Sequence, residues 1–223
     1  EGVEARRHPR GTALVVGDTE GEIRPAVADG SRWGVRVQYI EQDAPRGLAH
    51  AVKISRDYIG DEPFVMYLGD NLLNRGITHF VQEFEREKPA AQILLTRVPD
   101  PQQFGVAELR NGKVVRLVEK PKEPIGDLAL VGVYMFGPEV FESVNRIKPS
   151  FRNELEITDA IQDLIDRGLT VRPHLVDGWW KDTGKLEDML EANRLILETF
   201  ERRIDGTVDA ESRIEGKVVV EAG

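Results

Sequence analysis

The sequence predicts an α/β protein with a doubly wound, mostly parallel sheet in a Rossmann-like arrangement of three layers. Patterns typical of apolar strands and of amphipathic helices alternate over the first half of the chain. This order is typical of sheets whose parallel strands are joined by helical crossovers. Two apolar runs, at residues 13–16 and 64–68, lead directly into Gly-Asp. Such runs predict strands buried on both faces, with the acid at the carboxyl edge of the sheet, where ligands bind.

The elements can be assigned in chain order from their periodicity. The first half contains strands at residues 12–16, 35–40, 64–68 and 91–98, and helices at 19–29, 48–59 and 77–87. The pattern then changes, because Asn111-Gly112 separates two apolar runs and predicts a β-hairpin of strands 104–109 and 113–119. Beyond a rigid loop at 120–124, we expect a strand at 128–136, helices at 138–147 and 155–167, a strand at 170–176, a loop at 179–184 and a helix at 186–203.

The last residues have a different character, with short β runs spaced by glycine. One such unit cannot bury its own apolar face and needs stacked neighbours to be stable. We therefore predict one domain over residues 1–204 and the first coil of a β-helix over 205–223. A simple terminal strand is the alternative.

Composition excludes several classes of function. The net charge of −9 and an isoelectric point near 5.1 argue against non-specific binding to nucleic acid or to anionic membranes. The chain has no cysteine, so it has neither disulfides nor thiolate chemistry. No apolar run reaches the ~18 residues of a membrane span, and no signal peptide is visible. We expect a cytoplasmic protein without nucleic-acid or membrane partners.

Common catalytic motifs are also missing. The first strand is not followed by Gly-x-Gly-x-x-Gly, and neither a phosphate-loop motif nor Ser/His/Asp spacing is present. This argues against a dinucleotide-binding oxidoreductase, a phosphate-loop ATPase and a serine hydrolase.

Two acids are candidates for holding a metal ion. Asp70 follows the strand at 64–68, and Asp182 lies in the loop at 179–184. A pair of carboxylates on one Mg²⁺ is usual where a polyphosphate is cleaved. The alternatives are an ordinary Gly-Asp-Asn turn at Asp70 and a helix N-cap at Asp182, for which Thr183 competes.

A charged pair, Glu119-Lys120, ends an apolar strand and is followed by Pro121, which stiffens the turn. Lys120 could meet a phosphate as a point charge, and Glu119 could accept hydrogen bonds from sugar hydroxyls. A solvated surface pair is the alternative interpretation.

The loop at 42–47 opens the helix that begins at Leu48. The Gln42 amide can read the edge of a pyrimidine, and Gly47 allows a base to lie against the backbone. The alternative is an ordinary loop. His50, on the same helix, is expected to be a packing or surface residue rather than a catalytic one.

Taken together and in this order, five segments resemble the sugar-1-phosphate nucleotidyltransferases. The similarity runs from Ala13 to Arg203 and is greatest to the glucose-1-phosphate thymidylyltransferases in their longer form, which ends in a left-handed β-helix. The segments are Tyr-Leu-Gly-Asp-Asn at 67–71, Phe-Gly-Val at 104–106, Val-Glu-Lys-Pro at 118–121, Asn-Glu-Leu-Glu-Ile-Thr-Asp at 153–159 and Trp-Lys-Asp-Thr-Gly at 180–184.

The resemblance implies a nucleotide-diphospho-sugar transferase-like fold. It also implies a reaction that joins a sugar 1-phosphate to dTTP or UTP with release of pyrophosphate, and glucose 1-phosphate is the leading candidate for the sugar substrate. It also implies a homo-oligomer when the protein is complete. The implied residue roles are Mg²⁺ binding by Asp70 and Asp182, pyrimidine reading by Gln42 and Gly47, sugar contacts by Gly105 and Glu119, and phosphate contacts by Lys120 and Arg152.

The sequence departs from the family pattern at three places. Phe104 stands where tyrosine is common, and Asn153 replaces a usual glycine. The glycine-rich loop that cradles the triphosphate has no match, so we expect a chain truncated at both ends with weak or no turnover. A non-catalytic protein that binds sugar nucleotides, or a regulatory protein on the same fold, is the alternative, as is a sister enzyme that uses UTP.

Overall fold

A computed structural model describes residues 11–123 and 125–222. The charged segment at 1–10, Pro124 of the expected rigid loop and the terminal Gly223 lie outside the described residues.

Strands and helices alternate along the described chain as the α/β prediction requires. The strands are β1 (Gly11–Val16), β2 (Arg36–Glu41), β3 (Phe64–Tyr67), β4 (Asn71–Leu73), β5 (Ala91–Arg97), β6 (Gly105–Arg110), β7 (Lys113–Glu119), β8 (Leu128–Phe136), β9 (Val171–Leu175), β10 (Trp180–Asp182), β11 (Arg203–Ile204) and β12 (Val219–Val220). The helices are α1 (Glu20–Val27), α2 (Leu48–Ile54), α3 (Arg56–Ile59), α4 (Thr78–Glu87), α5 (Val140–Arg146), α6 (Ile157–Asp166) and α7 (Leu186–Thr199), and short 3-10 turns lie at Ser31–Trp33 and Pro101–Gln103.

Contacts between Cα atoms divide the chain into two compact units. The larger unit ends its first part at Met66 and continues over Thr78–Val176, whereas the smaller unit contains Tyr67–Ile77 and the chain from Asp177 onward. This division differs from the expected domains 1–204 and 205–223, which stay a prediction.

The larger unit is built on a mixed sheet rather than a mostly parallel one. Its strand order is β7-β6-β8-β5-β9, with β3 also paired to β8. Strand β5 is parallel to β9 but antiparallel to β8, and β6 is antiparallel to both β7 and β8. The hairpin at Asn111-Gly112 forms as predicted, with φ of 52° and 74°, and its tight turn makes β6 and β7 antiparallel.

Side chains on β5 show that this sheet is covered on both faces. Ala91, Ile93 and Leu95 belong to the main apolar cluster, together with buried side chains of α2, α5 and α6. Between them Gln92 is also fully buried and donates from Nε2 to the carbonyl of Phe80 on α4, 2.8 Å away. Because successive side chains of a strand point to opposite faces, helices lie on both sides of β5, as a three-layer arrangement requires.

The strand before Asp70 is not buried on both faces, so that prediction was wrong. Phe64 of β3 packs near the rings of Phe136 and Phe141, with centroids 5.6 and 5.7 Å away. Val65 and Tyr67 on the other face are 39% and 44% exposed. Strand β1 likewise pairs only with β2 among the described strands, in parallel register, and Val15 is exposed. An apolar run alone therefore overstated the burial of both strands.

In the smaller unit, the segment predicted as a loop at 179–184 contains strand β10, which pairs with β4. The sequence pattern missed this ladder because each strand has only three residues. Helix α7 follows, and β11 and β12 form a parallel pair with Arg203 opposite Val219. The first coil of a β-helix stays a prediction for this last segment.

Candidate active site

The β4–β10 ladder brings Asp70 and Asp182 together, although they are far apart in the sequence. Asp182 pairs with Asn71, the residue that follows Asp70. Thr183 fixes the contact, since its backbone N and its Oγ1 both donate to the carbonyl of Asp70, at 2.7 and 2.8 Å. The backbone thus holds the two acids as neighbours before any ligand binds.

The two carboxylates border the same small space. A Cβ atom added to Gly184 would lie 3.1 Å from Asp182 Oδ1 and 3.7 Å from Asp70 Oδ2. The backbone N of Gly184 also donates to Asp182 Oδ1 at 2.9 Å. Glycine at this position therefore leaves open a space that two anionic oxygens share.

Asn71 and Trp180 orient Asp70, and sequence reasoning gave neither of them a role. Asn71 is buried and donates from Nδ2 to Asp70 Oδ1 at 2.8 Å, while its Oδ1 accepts a 2.6 Å hydrogen bond from Trp180 Nε1. The signal available in the sequence was position alone, because Asn71 follows one acid directly and Trp180 precedes the other by two residues.

The donor set suits a hard divalent cation such as Mg²⁺, which prefers carboxylate oxygens. Within residues 11–123 and 125–222, no group of three or more His, Cys, Asp or Glu side chains is placed to hold a metal. Mg²⁺ is commonly bound by one or two carboxylates, with water and substrate phosphate completing its shell. A two-carboxylate site therefore fits this ion better than it fits a metal that needs a full protein cage.

In the larger unit, Gly105, Glu119 and Thr158 lie together. Gly105 opens β6 opposite Glu119 at the end of β7. A Cβ atom on Gly105 would lie 2.7 Å from Thr158 Cγ2 and 3.0 Å from Glu119 Oε2, so only glycine fits without a shift. Burial, followed by the charge of Glu156, raises the pKa of Glu119, while Arg152 and Lys120 act in the opposite direction.

Arg152 is held by a set of carboxylates. Its guanidinium donates to both oxygens of buried Glu156, at 3.0 and 2.9 Å, and to Glu154 at 2.8 Å. It also lies 3.9 Å from Glu119 Oε1. The hydrogen bond to Glu156 is the main cause that raises the pKa of Arg152. This arginine therefore already neutralises part of the negative charge around Glu119.

The backbone at Lys120 and Asn153 takes the left-handed conformation, with φ of 41° and 62°. Asparagine tolerates this conformation better than most residues, so Asn153 fits a position at which the resemblance implies glycine. At Lys120 the conformation is unusual, and strain of this kind concentrates at functional sites. The backbone N of Lys120 donates to the carbonyl of Phe104 at 3.0 Å, which fixes the turn.

Gln42 and Gly47 also meet, since Gln42 Nε2 donates to the carbonyl of Gly47 at 3.2 Å. The turn at Gly47 is joined to the segment after Asn153. Leu155 donates its N–H to Arg46 at 2.8 Å and accepts from Ala49 at 3.0 Å. The structure thus brings the predicted site residues together in three groups. Asp70 and Asp182 form one group in the smaller unit. In the larger unit, Gln42 and Gly47 form a second group, and Gly105, Glu119 and Arg152 form a third.

Comparison with known proteins assigns the family. The family model described as nucleotidyl transferase matches residues 13–199. The chain belongs to this family. The resemblance seen in the five sequence segments and the predicted α/β fold class are thereby confirmed.

Relatives within the family agree with this assignment. A glucose-1-phosphate thymidylyltransferase of Streptomyces griseus is 56% identical over 211 residues, which are 94% of this chain and 59% of that protein. A UTP–glucose-1-phosphate uridylyltransferase of Haloferax volcanii is 35% identical over 168 residues, covering 74% of this chain and 69% of that protein. A crystal structure described as a glucose-1-phosphate thymidylyltransferase from Bacillus anthracis superposes with a TM-score of 0.75 at 36% identity, over 82% of this chain and 74% of that one.

The chain spans about three fifths of the length of the Streptomyces relatives that it matches, 59% of one and 60% of another. Among the described residues, no helix combines the length and the apolar character that crossing a bilayer requires.

Proposed function

We propose that the protein is a nucleotidyltransferase that joins a sugar 1-phosphate to dTTP, with glucose 1-phosphate as the leading candidate for the sugar substrate. A phosphate oxygen of the sugar 1-phosphate attacks the α-phosphorus of the nucleotide, the bond to the β-phosphate oxygen breaks, and pyrophosphate leaves. The observation that supports this most strongly is the pairing of Asp70 with Asp182 on the β4–β10 ladder. The identity to the thymidylyltransferase of Streptomyces griseus supports the choice of substrates.

Asp70 and Asp182 are the residues that would hold Mg²⁺. When bound, the ion supplies positive charge that neutralises the triphosphate and the developing charge on the leaving pyrophosphate. The protein prepares this role by orienting Asp70 through Asn71 and Asp182 through the N–H of Gly184. Orientation before binding avoids the cost of reorganisation during the reaction.

In the larger unit, Glu119 accepts hydrogen bonds from sugar hydroxyls, and Gly105, which lies opposite Glu119, also contacts the sugar. Lys120 positions the phosphate that attacks. Arg152 contributes positive charge near the phosphates while it holds Glu156. Gln42 and Gly47 bind the pyrimidine. These residues align two anionic substrates, and such alignment supplies much of the rate enhancement of phosphoryl transfers.

UTP is the second candidate nucleotide. Thymine and uracil present the same hydrogen-bonding edge, so Gln42 alone does not separate them. The 35% identity to a uridylyltransferase of Haloferax volcanii favours keeping this substrate in the test.

The test is pyrophosphate release by the intact protein with glucose 1-phosphate, Mg²⁺ and either dTTP or UTP. We expect Asp70→Asn and Asp182→Asn each to lower turnover by roughly two orders of magnitude or more, with an unchanged melting temperature. Asp177→Asn, an exposed acid of the same unit, is the matched control and should keep its rate. Wild-type rates in either variant would contradict the assignment. Binding of dTDP-glucose without any turnover would instead support a non-catalytic binding protein.

A further inference from the structure

The Gln42 side chain is held at two points, and these determine its orientation. Its Nε2 atom lies 3.2 Å from the carbonyl oxygen of Gly47 and 2.9 Å from Nδ1 of His50 on α2. The Gly47 carbonyl accepts hydrogen bonds and never donates, so the amide atom beside it must be the nitrogen and not the oxygen.

The Gly47 carbonyl is itself anchored by the fold. Gly47 has a φ of 93°, and a Cβ there would lie 2.8 Å from Leu155 N and closer still to Leu155 O. The hydrogen bonds of Leu155 to Arg46 and Ala49 hold the turn from both sides. The orientation of Gln42 is therefore set by backbone geometry.

The protonation of His50 follows from this orientation. Because Gln42 Nε2 donates, His50 Nδ1 must accept, which requires a neutral imidazole whose proton is on its own Nε2. Both amide hydrogens of Gln42 are then used, one on Gly47 and one on His50. The amide oxygen Oε1 is what remains for a ligand.

We propose that His50 is a positioning residue that fixes Gln42 with its amide oxygen available to the imino N–H of thymine or uracil. The inference rests on the proposed function and deepens it. Thymine and uracil present a donor at ring nitrogen 3, whereas cytosine presents an acceptor there, which an amide oxygen repels. His50 thus contributes to base selection without touching the base.

Protonation of His50 breaks this arrangement. A charged imidazole presents N–H to the amide nitrogen, so two donors face each other, and turning the amide over places Oε1 against the Gly47 carbonyl. The charged groups that act on His50 are Arg46, Asp43 and Lys53. Burial, followed by Arg46, lowers the pKa of His50, which keeps the imidazole neutral at neutral pH. Affinity for a thymine or uracil nucleotide should therefore fall as the pH drops below the ordinary histidine range.

The experiment measures dissociation constants of dTTP and dCTP by calorimetry between pH 5 and 8, for the intact wild-type protein, His50→Gln and His50→Leu. Glutamine keeps an acceptor that does not titrate, and leucine removes it. His79→Gln, at an exposed position of α4, is the matched control. The titration of the nucleotide phosphates is common to all four proteins. The ¹⁵N shifts of His50 without nucleotide report its tautomer independently of binding.

We expect the wild type and His79→Gln to lose about tenfold in dTTP affinity toward pH 5 beyond the loss seen in His50→Gln. At pH 8, His50→Leu should reduce the preference for dTTP over dCTP by about tenfold, and His50→Gln should keep it. The ¹⁵N shifts should show a neutral ring protonated on Nε2.

A ring protonated on Nδ1, or equal pH dependence in the wild type and His50→Gln, would overturn the role of His50 and leave the proposed function standing. If none of the four proteins binds dTTP at any pH, the proposed function fails and this inference fails with it.

Discussion

At the scale of single residues, Gly47 is the site residue with the strictest requirement for having no side chain. Its φ of 93° is one that residues with a Cβ rarely adopt, and the backbone of Leu155 occupies the space a Cβ would need. The same residue carries the carbonyl that orients Gln42. Stability and the proposed base recognition thus depend on one glycine.

Gly47→Ala should therefore lower the free energy of unfolding by at least about 2 kcal/mol, because strain and a backbone clash add. Gly34→Ala is the matched control, since Gly34 has a φ of 67° but nothing lies within 4 Å of its added Cβ. We expect about 1 kcal/mol for the control. Urea denaturation of both variants measures the difference, and equal losses would show that the contact with Leu155 is unimportant.

The raised pKa of Glu119 predicts how the stability of the protein depends on pH. Its pKa is raised by burial and by Glu156, so the folded protein binds more protons than the unfolded chain above the usual glutamate value of about 4.3. The contribution of Glu119 to stability is therefore present at low pH and is lost as the pH rises through its folded pKa. Glu119→Gln removes this dependence.

The free energy of unfolding of the wild type relative to Glu119→Gln should fall between the usual glutamate pKa of about 4.3 and the higher pKa of folded Glu119. Above the folded pKa the difference should level off. Denaturation curves at several pH values between 4 and 8 measure the difference, which cancels the carboxyl groups that do not interact with Glu119. A constant difference, or one that rises with pH, would contradict the raised pKa of Glu119.

At the scale of elements, the short β4–β10 ladder does more for the proposed site than the large sheet. It places Asp182 opposite Asn71 and carries the chain of hydrogen bonds from Trp180 through Asn71 to Asp70. Each strand has only three residues. The ladder therefore depends on side-chain hydrogen bonds as well as on backbone pairing for its stability.

Trp180→Phe should therefore cost about 1 kcal/mol of stability and lower turnover by about tenfold as Asp70 loses its orientation. Trp179→Phe is the matched control, because the 3.1 Å hydrogen bond from Asn74 is to the backbone carbonyl of Trp179 and survives the substitution. Steady-state kinetics and thermal melts measure both variants. An equal loss of turnover in the two would mean that the Trp180 hydrogen bond does not orient Asp70.

At the scale of the molecule, local signals predicted the fold well. Strand β8 spans the expected residues 128–136, and the Asn111-Gly112 hairpin forms because its turn chemistry is local. The direction of the strands did not follow from local pattern, since pairing of β8 between β5 and β6 depends on distant segments. The local pattern also overstated the burial of β3, because the covering of its faces depends on distant segments too.

The candidate site was predictable in its residue types but not in its geometry. Motifs named Asp70 and Asp182, yet only the β4–β10 register explains why they meet. His50 was expected to be a packing or surface residue. Its hydrogen bond to Gln42 depends on the turn at Gly47, which periodicity does not describe.

The proposed reaction depends on Asp70 and Asp182 holding one divalent cation between them. Electron paramagnetic resonance of Mn²⁺ bound to the intact protein tests it most directly, with Asp70→Asn, Asp182→Asn, the double variant and Asp177→Asn as control. We predict that either single substitution removes the bound ion as completely as the double one does, while the control keeps it. Retention of the wild-type Mn²⁺ signal in either single variant would contradict the claim.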